Sequence, residues 1–121
     1  MAVVLIIDDS PTELHLFQGM LERGGFDTIV ADSGEDGIRA AQTSRPDCIL
    51  MDVVMPGMNG FQATRKLTKD PRTSSIPVIM ITTKDQETDK IWGMRQGAVE
   101  YIVKPVAEKD LVAKIRSVMA D

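Results

Sequence analysis

The chain has 121 residues, the size of one ordinary domain. Hydrophobic residues make up 43% of it and charged residues 26%, a balance that argues against both disorder and burial in a membrane. The formal net charge of -4 makes nucleic acids and anionic membrane surfaces poor partners, because both are negatively charged. A single cysteine excludes an internal disulfide, and the first apolar run lacks the flanks of a signal peptide, so a cytoplasmic location is expected.

Short apolar runs alternate with amphipathic stretches, the pattern of repeated βα units around a parallel sheet. The first run, Val3 to Ile7, is rich in β-branched residues, as expected for a strand covered on both faces. Ser10 and Pro11 predict the N-cap and first residue of the following helix. A second strand is predicted at about residues 28–31 and a helix at about residues 34–43.

The second half of the chain continues this alternation. Strands are predicted at residues 48–51, 78–81 and 101–103, each leading towards a helix. Asp85 is predicted to cap the helix after the fourth strand, and Gly97 to end it. Five βα units therefore share one sheet.

Polar residues gather at the predicted strand ends. Asp8 and Asp9 follow the first strand, Asp52 the third, Thr82 the fourth and Lys104 the fifth. Open parallel α/β sheets bind ligands beyond the carboxyl ends of their strands, so these side chains are expected at one edge. Each alone would more often be a helix cap or a loop residue, and only their coincidence at four strand ends predicts a site.

Three carboxylates at one edge would raise each other's pKa unless a cation lay between them. Magnesium suits such a cluster, because it takes a few carboxylate or carbonyl oxygens and keeps waters that a phosphate oxygen can replace. A carboxylate can itself attack phosphorus and form an aspartyl phosphate when the metal and nearby donors neutralise the charge. Lys104 offers an ammonium group for this purpose, and Thr82 a hydroxyl group.

Several motifs occur together: Asp8-Asp9, Asp52, the loop at residues 55–60, Thr82, Tyr101 and Lys104-Pro105. With them the whole chain resembles the response regulator receiver family. The resemblance implies a doubly wound (βα)5 flavodoxin-like α/β fold, whose five-stranded parallel sheet has the order 2-1-3-4-5 and helices on both faces. It also implies a single receiver domain over residues 1–121 without an output domain. Such a domain is a phosphorelay switch that catalyses only its own phosphorylation and dephosphorylation, and not an enzyme in the usual sense.

The resemblance assigns a role to each residue of the acidic cluster. Asp52 would be the phosphoryl acceptor. Asp8, Asp9, Asp52 and the backbone carbonyl of Val54 would hold Mg²⁺, for which Mn²⁺ can substitute.

The resemblance also implies a switch. Thr82 and Lys104 would hold the phosphoryl oxygens, and the peptide bond between Lys104 and Pro105 would be cis. Phosphorylation would draw in the Thr82 hydroxyl and let Tyr101 turn into the vacated space, which shifts a population of conformations. The phosphodonor would be a histidine kinase, and a protein effector would bind the face of helix 4, strand 5 and helix 5. A monomer is expected, with a dimer left open.

A narrower resemblance rests on residues 8–13, 60–65 and 83–90, together with Trp92 and residues 95–98. These stretches are similar to PilH-type receivers of the chemotaxis-like systems that control type IV pili. The implied output is twitching or phototactic motility. Trp92 itself is either an anchor for a partner on the effector face or a ring lying over its own helix.

Two positions differ from the best-known chemotaxis receivers. Val54 is apolar where a polar side chain is common, and Lys84 is basic where an acid is common. Side chains at these positions flank the attacking water, which an apolar group cannot orient. The sequence therefore predicts slow self-dephosphorylation.

Three alternative functions share features with this sequence. A haloacid-dehalogenase-type phosphatase needs a second aspartate two residues after its nucleophile, but Ser10 and Pro11 occupy the corresponding positions. A receiver cut cleanly from a DNA-binding transcription factor would also end without a linker after its last helix, as this sequence does, so this alternative stays open. A phosphate sink or another chemotaxis-type regulator would share the chemistry, and the sequence does not separate them.

Overall fold

A computed structural model describes residues 2–119. Five strands and five helices alternate along these residues: β1 (Val3–Ile7), α1 (Pro11–Arg23), β2 (Asp27–Ala31), α2 (Gly34–Ser44), β3 (Cys48–Met51), α3 (Gly60–Lys69), β4 (Val78–Thr82), α4 (Glu87–Gln96), β5 (Glu100–Val103) and α5 (Glu108–Met119). The strands form one parallel sheet in the order β2-β1-β3-β4-β5. The predicted doubly wound α/β fold is confirmed. None of the helices over this range is long and apolar enough to cross a lipid bilayer.

The sheet is covered on both faces, which explains the uninterrupted apolar sequence of β1. Val4 and Ile6 belong to a buried cluster that includes residues of α1 and α5. Leu5 and Ile7 point to the other face, in a cluster with residues of α2 and α3. Because successive side chains of a strand point to opposite faces, a strand between two helical layers must be apolar at every position.

The starts of two helices differ in how well the sequence predicted them. Ser10 caps α1 as predicted, with its side chain accepting a hydrogen bond from the backbone of Glu13. The prediction that Asp85 caps α4 is wrong. That helix begins at Glu87, one residue later than predicted, and within residues 2–119 no side chain makes a capping hydrogen bond there. Acidic residues in its first turn still interact favourably with the helix dipole.

Candidate functional site

The sheet places the predicted site residues at one edge. Ile7 of β1 is paired with Met51 of β3, so the residues that follow them, Asp8 and Asp52, lie side by side. The backbone N–H of Asp52 donates to the Ile7 carbonyl at 2.9 Å, which extends the pairing by one residue. Thr82 is the last residue of β4, one strand further along.

Three carboxylates meet at this edge. Oxygens of Asp8, Asp9 and Asp52 lie within 4.8 Å of one another. Asp8 and Asp52 are buried, whereas Asp9 is exposed. One oxygen of Asp8 accepts a hydrogen bond from the backbone N–H of Ser10 at 2.9 Å. Its other oxygen, Oδ2, is buried and finds no hydrogen-bond partner in the described part of the chain. Three carboxylates supply the hard oxygen donors that a divalent cation such as Mg²⁺ prefers, and Asp8 Oδ2 has no hydrogen bond that binding would break.

The cluster is electrostatically unfavourable without a cation. Burial raises the pKa of Asp52 to about 6; the negative charge of Asp8 adds to this rise, and Lys104 opposes it. Burial also raises the pKa of Asp8. Both shifts mean that burial destabilises the ionised carboxylates, and the positive charge of a bound divalent cation would offset this effect.

Lys104 lies beside the cluster on the loop after β5, where its peptide bond to Pro105 is cis. Its Nζ is 3.5 Å from Asp8 Oδ2 and 3.7 Å from Asp52 Oδ1. A shorter contact of 2.8 Å joins it to Oε1 of Glu13 on α1. Sequence reasoning placed Lys104 correctly but assigned Glu13 no role, since its proximity follows from the tertiary structure.

Comparison with known proteins decides the family. The response regulator receiver domain matches residues 4–116. The chain belongs to this receiver family. It is 58% identical over 120 residues to protein PilH of Pseudomonas aeruginosa, covering 99% of both chains. It is 34% identical to the alkaline phosphatase synthesis transcriptional regulatory protein PhoP of Bacillus subtilis, but spans 48% of that protein's length.

Solved structures of similar fold include other receivers. A putative response regulator of Chloroflexus aurantiacus superposes with a TM-score of 0.94 at 28% identity, covering 99% of this chain and 98% of that one. The Vibrio cholerae chemotaxis protein CheY4 gives a TM-score of 0.92 at 30% identity, covering 98% of each chain. These comparisons agree with the strand order of the sheet.

The predicted switch residues of this receiver are both buried. Thr82 Oγ1 accepts a hydrogen bond from the backbone N–H of Lys84 at 3.2 Å. The Tyr101 hydroxyl donates a hydrogen bond to the backbone carbonyl of Lys84 at 2.8 Å. Burial raises the pKa of Tyr101 to about 12. The Tyr101 ring lies against Gly93 of α4, where a Cβ atom would come within 3.0 Å of it. The inward position of Tyr101 therefore depends on a glycine in α4.

The two positions expected to flank an attacking water also line one groove of the receiver. Val54 is 59% exposed and presents an apolar side chain there. Lys84 lines the same groove, with its Nζ 3.7 Å from a carboxylate oxygen of Asp89. The amide of Asn59, another lining residue, is used to cap α3.

Proposed function

We propose that this receiver accepts a phosphoryl group on Asp52 from a histidine kinase, with Mg²⁺ bound in the carboxylate cluster. The observation that carries the proposal is the group of three strand-end carboxylates, two of them buried, beside the Lys104 ammonium group. The 58% identity to PilH over 99% of both chains supports a role in chemotaxis-like control of type IV pili.

The residues of the site would have different roles in phosphoryl transfer. Asp8, Asp9, Asp52 and the backbone carbonyl of Val54 would hold Mg²⁺, which supplies positive charge to the phosphoryl oxygens when bound. A carboxylate oxygen of Asp52 forms a bond to phosphorus while the bond from phosphorus to the donor's nitrogen breaks, and that electron pair leaves with the donor. No general base is needed, because an ionised carboxylate has no proton to lose.

Lys104 and Thr82 provide the remaining positive charge and hydrogen bonding. The Lys104 ammonium lies close enough to Asp52 to reach an oxygen of the transferred group after a small side-chain movement. The Thr82 hydroxyl now accepts a bond from the Lys84 N–H, so its own hydrogen is free to turn towards a phosphoryl oxygen. This movement would couple the site to Tyr101, which contacts the same loop.

The effector would bind the face made by α4, β5 and α5. Large apolar side chains are exposed there, including Ile91, Trp92 and Met94 on α4 and Val103 on β5. Trp92 is 50% exposed, which suits an anchor for a protein partner. Exposed aromatic and methionine side chains are enriched at such interfaces.

The chemistry is tested by intact mass after incubation with acetyl phosphate and magnesium. We expect one phosphoryl adduct on the natural protein, and none on Asp52→Asn or after removal of divalent cations by a chelator. Asp32→Asn is the matched control, because Asp32 is exposed and follows β2 outside the cluster. An adduct that persists on Asp52→Asn, or forms equally well in chelator, would refute the proposal.

The phosphoryl group is expected to persist well beyond seconds once the donor is removed. The apolar Val54 cannot orient a water for attack on phosphorus, so Val54→Asn should shorten the lifetime about tenfold, equivalent to about 1.4 kcal/mol in the barrier. Decay of the adduct by intact mass gives both rates, with Val54→Ala as the apolar control. A natural half-life of seconds or less would contradict the expectation.

A further inference from the structure

The Lys104 ammonium group is held by a carboxylate that does not belong to the acidic cluster. Its 2.8 Å contact to Glu13 Oε1 has hydrogen-bond length, whereas its distances of 3.5 and 3.7 Å to Asp8 and Asp52 do not. The Lys104 side chain is 15% exposed and that of Glu13 30% exposed. The ion pair is therefore partly shielded from water, and this shielding makes it stronger than an ion pair on the surface.

Helix α1 fixes Glu13 in this position. Glu13 is in the first turn, and its backbone N–H donates to Ser10 Oγ at 3.3 Å. The backbone N–H of Ser10 donates in turn to Asp8 Oδ1 at 2.9 Å, which links the start of the helix to the cluster. Phe17, one helical turn after Glu13, lies with its ring centroid 5.6 Å from the Lys104 Nζ. Two residues of α1 thus attract the ammonium group away from Asp52.

We propose that Glu13 is a positioning residue that holds Lys104 towards α1 and competes with the phosphoryl group for its ammonium. This inference rests on the proposed function, because it concerns the same site. Drawing the Lys104 ammonium towards a phosphoryl group on Asp52, now 3.7 Å from its Nζ, would lengthen the 2.8 Å contact with Glu13. Glu13 would thereby lower the stability of the phosphorylated state and set how completely the receiver is phosphorylated by a given donor.

The first test measures the Lys104 ammonium in the free protein. In metal-free protein with ¹⁵N-labelled lysine, Glu13→Gln should move the Lys104 Nζ resonance, which is assigned by its loss in Lys104→Arg. Glu22→Gln is the matched control, because Glu22 lies on the same helix and its side chain accepts a hydrogen bond from Thr28 Oγ1. An unchanged Lys104 resonance in Glu13→Gln would overturn the inference. Glu13 is not a core residue, so both variants are expected to fold.

The second test measures binding of beryllium fluoride, a phosphoryl mimic, in the presence of magnesium by Trp92 fluorescence. Glu13→Gln should bind it about tenfold more tightly than the natural protein, equivalent to about 1.4 kcal/mol. In a Lys104→Ala background the same change should have less than about a twofold effect, because the competition acts through Lys104.

The outcomes separate this inference from the function on which it rests. Normal binding by the natural protein with no gain in Glu13→Gln would overturn the role of Glu13 alone. A gain that persists in Lys104→Ala would assign the effect to general charge repulsion and would also overturn it. Absence of binding by the natural protein and by every variant would refute the proposed function, and the inference with it.

Discussion

Replacing Gly60 by alanine is expected to lower the free energy of unfolding by about 3 kcal/mol or more. Gly60 opens α3 directly behind the acceptor, and an added Cβ atom would collide with the Asp52 carbonyl oxygen and lie 2.7 Å from Val53 Cα. Both are backbone atoms of the segment that follows β3, so no flexible side chain can move to make room. The backbone N–H of Gly60 also donates to the Val53 carbonyl at 2.9 Å, which holds the two segments together.

Urea unfolding of the variant and the natural protein measures this effect. Gly19→Ala is the control, because Gly19 lies inside α1 and an added Cβ atom would meet only the end of the Arg23 side chain, at 3.2 Å. That change should be neutral or stabilising by up to about 1 kcal/mol, the gain in helix propensity. A cost below about 1 kcal/mol for Gly60→Ala would mean that the backbone beside Asp52 adjusts freely. Phosphoryl acceptance should fall with stability, since the collision moves Asp52.

Without divalent cations, Asp52→Asn should stabilise the protein by about 2 kcal/mol at pH 7.5. Burial and the charge of Asp8 raise the pKa of Asp52 to about 6, from an ordinary value of 3.8. Between these values the folded state holds a proton that the unfolded state has released, so stability falls as the pH rises from about 4 to about 6. Above that range the cost of the buried charge is fully present. Asparagine removes the charge, and its benefit should therefore be small at pH 4 and largest above pH 6.

Urea unfolding in chelator measures the gain in stability from Asp52→Asn at pH 4 and at pH 7.5. Saturating magnesium at pH 7.5 should reduce or reverse this gain. The exposed Asp32 offers Asp32→Asn as a control, expected to change stability by less than about 0.5 kcal/mol at either pH. An equal benefit at both pH values would show that packing, and not the buried charge, accounts for it. A benefit unaffected by magnesium would argue against a cation site in the cluster.

Gly60→Ala and Asp52→Asn are expected to change stability through different interactions at the same site. Gly60 acts through steric contact with the segment that carries Asp52, whereas Asp52 acts through its charge. Additivity is not expected in the double variant, because the residues are in contact.

The order of the strands and helices along the chain, and the strand ends that carry polar side chains, could be predicted from the amino-acid sequence. Local patterns suffice for this: the continuous apolar run of β1 and the cap at Ser10 both correspond to the structure. Parallel strands align their carboxyl ends, so Asp8, Asp9 and Asp52 were expected at one edge, and the pairing of β1 with β3 brings them together. The spacing of Asn59 and Gln62 also matches the capping box that begins α3.

The side chains that these residues contact could not be predicted in the same way, because they come from distant parts of the chain. Glu13 and Lys104 are 91 positions apart, and their contact depends on how α1 packs beside the loop after β5. The close approach of Gly60 to the backbone after β3 also depends on another segment of the chain. The inward position of Tyr101 likewise depends on the loop that contains Lys84. Hydrophobic periodicity and capping motifs reflect interactions between residues close in sequence. The contacts of Glu13, Gly60 and Tyr101 depend instead on the order of the strands and on side-chain rotamers. Asp85 is likewise not the cap of α4, which begins after Gln86, because a residue type that favours capping does not by itself fix where a helix begins.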